Sequence, residues 1–265
     1  MPFPPSDISD ALRRELEYFV RNHDFVEFYR GYHWGNDTWH AGFPDILRIE
    51  MEFNESMKHA VLKRESILAV ARWGKLRNTR RIRCPEEFGL ELCRDGLPDQ
   101  RIARDPLGPL LALKMKVGGL GPTYLTKVLR FALPAEYGSI DTRIVRVLGV
   151  GDPNSRKHAW LRLAVRNYGY GWFIPETQSE WPSSYARWID ILRFFARYLN
   201  DSGLACPHPE AYLKKQLRKP AIWVCADIEM ALFSYCSRNL AKDHLGPSNP
   251  VERCLHTRLA PAGSC

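Results

Sequence analysis

The chain has 265 residues, a formal net charge of +8 and a sequence pI of about 9.2. Its 45% apolar and 26% charged residues fit an ordinary globular chain, which excludes collagen-like and low-complexity classes. No run approaches the ~20 apolar residues of a bilayer-crossing helix. The basic balance points to polyanions, because each cation set near a phosphate releases counterions.

The opening Met1-Pro2-Phe3-Pro4-Pro5-Ser6-Asp7 has neither a basic patch nor an apolar core, so no signal peptide is expected and cytoplasmic residence is. A helix is predicted over 9–28, with Leu12, Leu16, Phe19 and Val20 at helical spacing. The stretch 29–44 carries Tyr32, Trp34, Trp39 and Phe43 among Gly31, Gly35 and Gly42, which disfavours a regular helix. A second helix is predicted over 55–73. Lys75, Arg77, Arg80, Arg81 and Arg83 then form a cationic run, readable as a solvated face or as a phosphate contact. Pro106 and Pro109 punctuate the approach to a helix ending at Lys116. Further helices are predicted over 160–168, from Ser183 or Ser184 to Leu199, and over 221–240; the tail from Gly246 is expected to be irregular. Period-two alternation is scarce, so the expected class is mainly α.

Seven cysteines are present, at 84, 93, 206, 225, 236, 254 and 265. No two are spaced as a zinc-type pair, so free thiols, no metal and no cofactor are expected. Cys225 and Cys236 lie in apolar helical surroundings and read as small core residues.

The informative stretch is Val117-Gly118-Gly119-Leu120-Gly121-Pro122-Thr123-Tyr124-Leu125-Thr126-Lys127-Val128-Leu129. Its glycines permit a tight turn after one helix, and Pro122 suits the first position of the next. Such a turn aims free N–H groups outward, a ready anion site. Leu125, Val128 and Leu129 give the second helix an apolar face. Downstream stands Ser139-Ile140-Asp141-Thr142-Arg143-Ile144-Val145-Arg146. Asp141 before an apolar run reads as a helix N-cap, and a helix N-terminus favours an anion.

Residues 117–129 resemble the Leu-Pro-Gly-Val-Gly hairpin signature of the helix-hairpin-helix DNA glycosylase superfamily, which includes endonuclease III and 8-oxoguanine glycosylases. Residues 139–149 resemble that family's Val-Asp-Thr-His block. Gly121 and Asp141 are twenty positions apart, which resembles the family interval. The resemblance covers residues 117–149. It implies two helical lobes with a DNA-binding cleft between them: a central lobe over 56–135 holding the hairpin, and a second from 1–55 plus 136–265 carrying Asp141. It also implies a monomer on double-stranded DNA that flips out a damaged or modified base, in base-excision repair or in defence against modified phage DNA.

By the same resemblance, Asp141 stabilises the oxocarbenium-like sugar, and Gly119, Leu120, Gly121, Thr123 and Arg143 contact DNA. Arg146 is either a further phosphate contact or solvated surface. The family's nucleophilic lysine position is Thr123 here, which implies a monofunctional enzyme using water. Lys127 lies one helical turn further on, on the same face, and is the alternative nucleophile, giving lyase activity. The iron–sulfur cysteine spacing of endonuclease III-like members is absent. Trp34, Trp39, Tyr170 and Trp172 are candidates either for core packing or for stacking on a flipped base. The competing readings are a non-catalytic hairpin DNA-binding protein and a structural helical protein.

Overall fold

The structure is a computed structural model and describes residues 8–94, 97–167 and 171–241. Tyr170, the opening residues 1–7, and the tail from Gly246 with Cys254 and Cys265 lie outside the described residues.

The chain begins with α1 (Asp10–Asn22), α2 (Phe25–Arg30), a ribbon of β1 (His33–Trp34) and β2 (Asp37–Thr38), and α3 (Pro44–Met57). β3 (Val61–Lys63), α4 (Arg64–Trp73) and β4 (Glu87–Gly89) follow, then β5 (Cys93–Arg94), β6 (Leu97–Pro98) and α5 (Gln100–Arg104). α6 (Gly108–Lys116), α7 (Pro122–Ala132) and α8 (Thr142–Leu148) occupy the middle. β7 (Arg166–Asn167), β8 (Trp172–Phe173), α9 (Ser183–Asp201), α10 (Glu210–Lys214) and α11 (Cys225–Asn239) complete the described chain. The named strands form only two-stranded ribbons, so the fold is mainly α.

Three expectations are corrected. The helix expected over 9–28 is two helices, because Asp24 caps a new one by accepting from the Glu27 N–H at 3.0 Å. The helix expected over 55–73 is interrupted: Ala60 adopts φ 51°, and Val61–Lys63 pairs with Glu87–Gly89 before α4 begins. The helix expected over 160–168 is absent among the described residues. There Leu161, Leu163 and Val165 are buried while Arg162 and Arg166 are exposed, which is period two. This extended segment bonds back along the end of α8, with Leu161 N–H donating to Leu148 O at 3.0 Å and Val150 N–H to Leu163 O at 3.1 Å.

Two groups of helices emerge from the packing. α3, α4, α6 and α7 pack on one another, and α11 packs on α2, α8 and α9, with α1 against α9. α3, which runs through residue 56, packs with α4 and α7. Both groups contribute to a single buried apolar cluster. A charged chain of residues runs through it. Arg130 on α7 and Arg218 both reach Glu50 on α3, at 2.7 and 2.8 Å, and Arg218 also holds Asp227 on α11 at 3.0 Å.

Candidate active site

The turn between α6 and α7 is set by its glycines. Gly119 adopts φ +84°, and a Cβ there would sit 2.2 Å from Arg81 O. Gly118 and Arg83 exchange backbone hydrogen bonds at 2.8 and 3.0 Å, which ties the cationic run alongside the turn. Gly121 caps α7 in extended conformation and Pro122 opens it. Gly119 and Gly121 are exposed, Leu120 is buried, and Thr123 is half-buried. Among the described residues, the N–H groups of Gly119, Leu120, Gly121 and Thr123 donate to no protein acceptor. Unpartnered N–H groups at a helix start are the donor pattern that anion sites use.

Beside the turn, Lys75, Arg77, Arg80, Arg81 and Arg83 are all exposed. Among the described residues, no carboxylate oxygen lies within 4.0 Å of their charged nitrogens. The run begins at the pocket described next, where Lys75 Nζ stands 4.8 Å from the Trp34 ring centre.

α7 is buried over most of its length, and Lys127 is buried with it at 5% exposure. Its Nζ lies 3.6 Å from Asp141 Oδ2. The same nitrogen stands over Trp34, Trp73 and Tyr124, at 5.1, 5.2 and 5.5 Å from the ring centres. A cation gains electrostatically from ring faces and from a carboxylate together. Asp141 caps α8 through Oδ1, which accepts from the Arg143 N–H at 2.9 Å. Capping therefore leaves Oδ2 for the lysine. Thr123, one turn earlier on α7, does not line this pocket.

The pocket around Lys127 has a volume of about 210 Å³ including the space at its mouth. Its closed interior is only about 10 Å³, room for about one water, so a base enters only where side chains yield. Tyr32, Trp34, Trp73 and Phe233 form its apolar walls; Lys127, Asp141, Ser139 and Glu229 supply its polar groups. The lining comes from both helix groups. Trp73 is aimed by Asp37, whose Oδ2 accepts from the indole N–H at 2.7 Å. Oδ1 of the same residue accepts from the N–H groups of Asp45 and Ile46 at the start of α3, at 2.8 and 3.1 Å. Burial raises the Asp37 carboxyl above its ordinary range, against the pull of these three donors. Trp34 donates to Trp73 O at 2.9 Å, which fixes one wall to the other.

Glu229 on α11 is the least expected member. It is 5% exposed, and burial pushes its carboxyl up to about 7, with Arg130 and Ser139 pulling it back. Glu229, Asp37, Trp73, Ser139 and Phe233 were not singled out as site residues in the sequence, whereas Tyr32 stood among the loop aromatics open to core packing or base stacking. Trp34 was singled out, and it lines the pocket. Arg143 is half-buried: it donates to Ser237 Oγ at 3.2 Å and packs over Trp34 and Phe233 at 5.4 and 5.1 Å. It thus packs against two walls of the pocket without lining it.

The surface reading of Arg146 is corrected. It is 5% exposed, donates to Asp152 Oδ2 at 2.7 Å, and covers the Trp172 ring at 4.1 Å. Trp39 donates its indole N–H to Pro207 O at 2.5 Å, and neither Trp39 nor Trp172 lines the pocket. Cys225 and Cys236 are fully buried core residues.

Among the described residues one group has metal-ligand types within reach of one another: Cys206, His208 and Asp227, all buried. Its hydrogen bonds close without an ion. His208 Nε2 is 2.9 Å from Ile222 O, Cys206 Sγ is 3.6 Å from His208 Nδ1, and Arg218 already neutralises Asp227 at 3.0 Å. Burial also pushes the Cys206 thiol far up, which disfavours the thiolate a metal needs.

Comparison with protein-family models finds no match, and no curated protein or solved structure matches the chain.

Proposed function

We propose that the chain is a DNA glycosylase that takes a damaged or modified base into the pocket and cleaves its N-glycosidic bond. The observation that carries this reading is the buried Lys127–Asp141 pair, 3.6 Å apart in an aromatic pocket, with a phosphate-type helix start on the same helix. The two helix groups act as lobes, and the pocket between them receives the extruded nucleotide.

The reaction is read from these groups. Phosphate at the α7 start and along the 75–83 run holds the duplex without reading sequence. Asp141 Oδ2 faces the sugar and stabilises its growing positive charge. As the bond to the base breaks, Lys127 Nζ attacks C1′ and passes a proton to Asp141 Oδ2 in the same step, so the carboxylate is neutralised only as the sugar's charge is quenched. Opening of the sugar ring then gives an imine. Of the two nucleophiles considered from sequence, the amine is the one this geometry favours, because Nζ already stands beside the carboxylate.

The test is a panel of duplexes carrying oxidised, methylated and deaminated bases, with phage genomes rich in hypermodified cytosine. Mass spectrometry reads the released base, and borohydride traps any imine. Wild type is expected to release one class of base and to form a trapped adduct that Lys127→Ala does not form. Asp141→Asn is expected to lose roughly 10²–10³-fold in release rate while still binding duplex. Release without trapping would overturn the amine step. Release from no duplex, with salt-sensitive binding retained, would leave a non-catalytic hairpin protein.

A further inference from the structure

Lys127 and Asp141 act on the sugar; neither accounts for the base that leaves. When the C1′–N bond breaks, its electron pair stays on a ring nitrogen. A neutral base carries that charge poorly unless it gains a proton. Two groups of the pocket have no part in the sugar chemistry: Ser139 and Glu229.

They are bonded to each other, with Ser139 Oγ 2.9 Å from Glu229 Oε1. Ser139 is held in place from behind, its carbonyl accepting from the Trp188 indole at 3.0 Å. Oε2 of Glu229 lies 3.6 Å from Arg130 Nε. That Nε is buried and has no hydrogen-bond partner. The Arg130 guanidinium beside Oε2 stabilises the carboxylate left once the proton is given up.

We infer that Glu229, acting through the Ser139 hydroxyl, is the acid that protonates the departing base. This rests on the glycosylase reading above. The proton on Oε1 passes to Ser139 Oγ as the hydroxyl's own proton passes to the base nitrogen. The C1′–N bond breaks with its pair going to that nitrogen, and the new bond to C1′ comes from Lys127. Glu229 is left as a carboxylate beside Arg130, and a solvent proton resets it.

The charge environment suits this cycle. Burial raises Glu229 to about 7, and Asp141 adds to the rise; Arg130, Ser139 and Lys127 oppose it. Tyr32 and Tyr185, from the loop before β1 and from α9, also face it, and Glu50 reaches it through Arg130. An acid near the working pH is both populated and willing to give its proton.

The experiment measures single-turnover base release between pH 5 and 9, on whichever panel duplex the wild type cuts. Wild type is expected to hold a plateau below about pH 7 and to fall tenfold per pH unit above it. Glu229→Gln and Ser139→Ala are expected to drop ~10²-fold and to lose that limb. Ser139→Thr, which keeps the hydroxyl, is expected to restore both rate and profile. Duplex affinity within twofold of wild type reports that the variants fold. A Glu229→Gln profile that keeps the wild-type limb, or a Ser139→Ala rate equal to wild type, overturns the relay and leaves the glycosylase standing. Wild type that releases no base from any duplex overturns the glycosylase reading itself.

Discussion

Asp37 ties the start of α3 to the Trp73 side chain of α4. One oxygen holds the start of α3 and the other holds the Trp73 indole. Asp37→Ala leaves two N–H groups at the α3 start and the half-buried Trp73 indole N–H without their acceptor, so a loss on the order of 2–3 kcal/mol is expected in urea denaturation. Base release should fall with it, because Trp73 is one wall around Lys127. Glu229 makes the opposite kind of prediction. Its carboxyl is raised to about 7 when folded, against about 4.3 unfolded, so the folded state binds the extra proton between those values. Its contribution is fully present below about pH 4.3 and is lost as pH rises through about 7. Denaturation of wild type and Glu229→Gln at pH 5, 6, 7 and 8 should therefore diverge, with only the wild type showing this decline. Parallel curves would mean that Glu229 is ionised throughout. None of this was legible in the sequence. Asp37, Trp73 and Glu229 belong to segments far apart in the chain, and no local spacing relates them.

At the scale of elements, what was legible is what short-range chemistry dictates. Gly118, Gly119, Gly121 and Pro122 specify a turn and a helix start within five residues, and that is where α6 ends and α7 begins. Asp141 before Thr142 specifies a cap, and it caps. The misread elements were decided by partners outside the window. Val61–Lys63 is a strand because β4 lies beside it, and 160–167 is extended because α8's end offers it hydrogen-bond partners. Two predictions follow from how the elements join. Gly119→Ala places a Cβ against Arg81 O at a positive φ, so the turn must deform. Duplex affinity should drop at least tenfold in a fluorescence-anisotropy titration, while far-ultraviolet circular dichroism stays near wild type. Glu50 lies between two buried guanidiniums, at 2.7 Å from Arg130 and 2.8 Å from Arg218. Glu50→Gln removes the carboxylate the two cations share, and breaking a buried pair costs ~3–5 kcal/mol where no other partner compensates. A loss under 1 kcal/mol in urea denaturation would show that Asp227 and Glu229 suffice for both cations.

For the whole molecule, the net charge of +8 matters less than where charge is left unanswered. Arg101 is exposed but tied to Asp99 at 2.5 Å and Glu91 at 3.1 Å. Arg77, Arg80, Arg81 and Arg83 are exposed with no such partner among the described residues, and backbone bonds place their segment against the hairpin turn. The sequence left this run open between solvated face and phosphate contact, since a row of cations looks the same in either role. On the glycosylase proposal, its place between the turn and Trp34 is where duplex phosphate would run. Each phosphate neutralised on a duplex steepens the dependence of log K on log salt by about 0.9. Arg80→Ala and Arg83→Ala should each weaken duplex binding alike for every sequence and flatten that slope by about 1. Arg101→Ala should leave the slope unchanged, because its charge is already met within the protein. Titrations between 50 and 300 mM salt separate the cases: equal slopes for all three variants would mean that the duplex lies on another face.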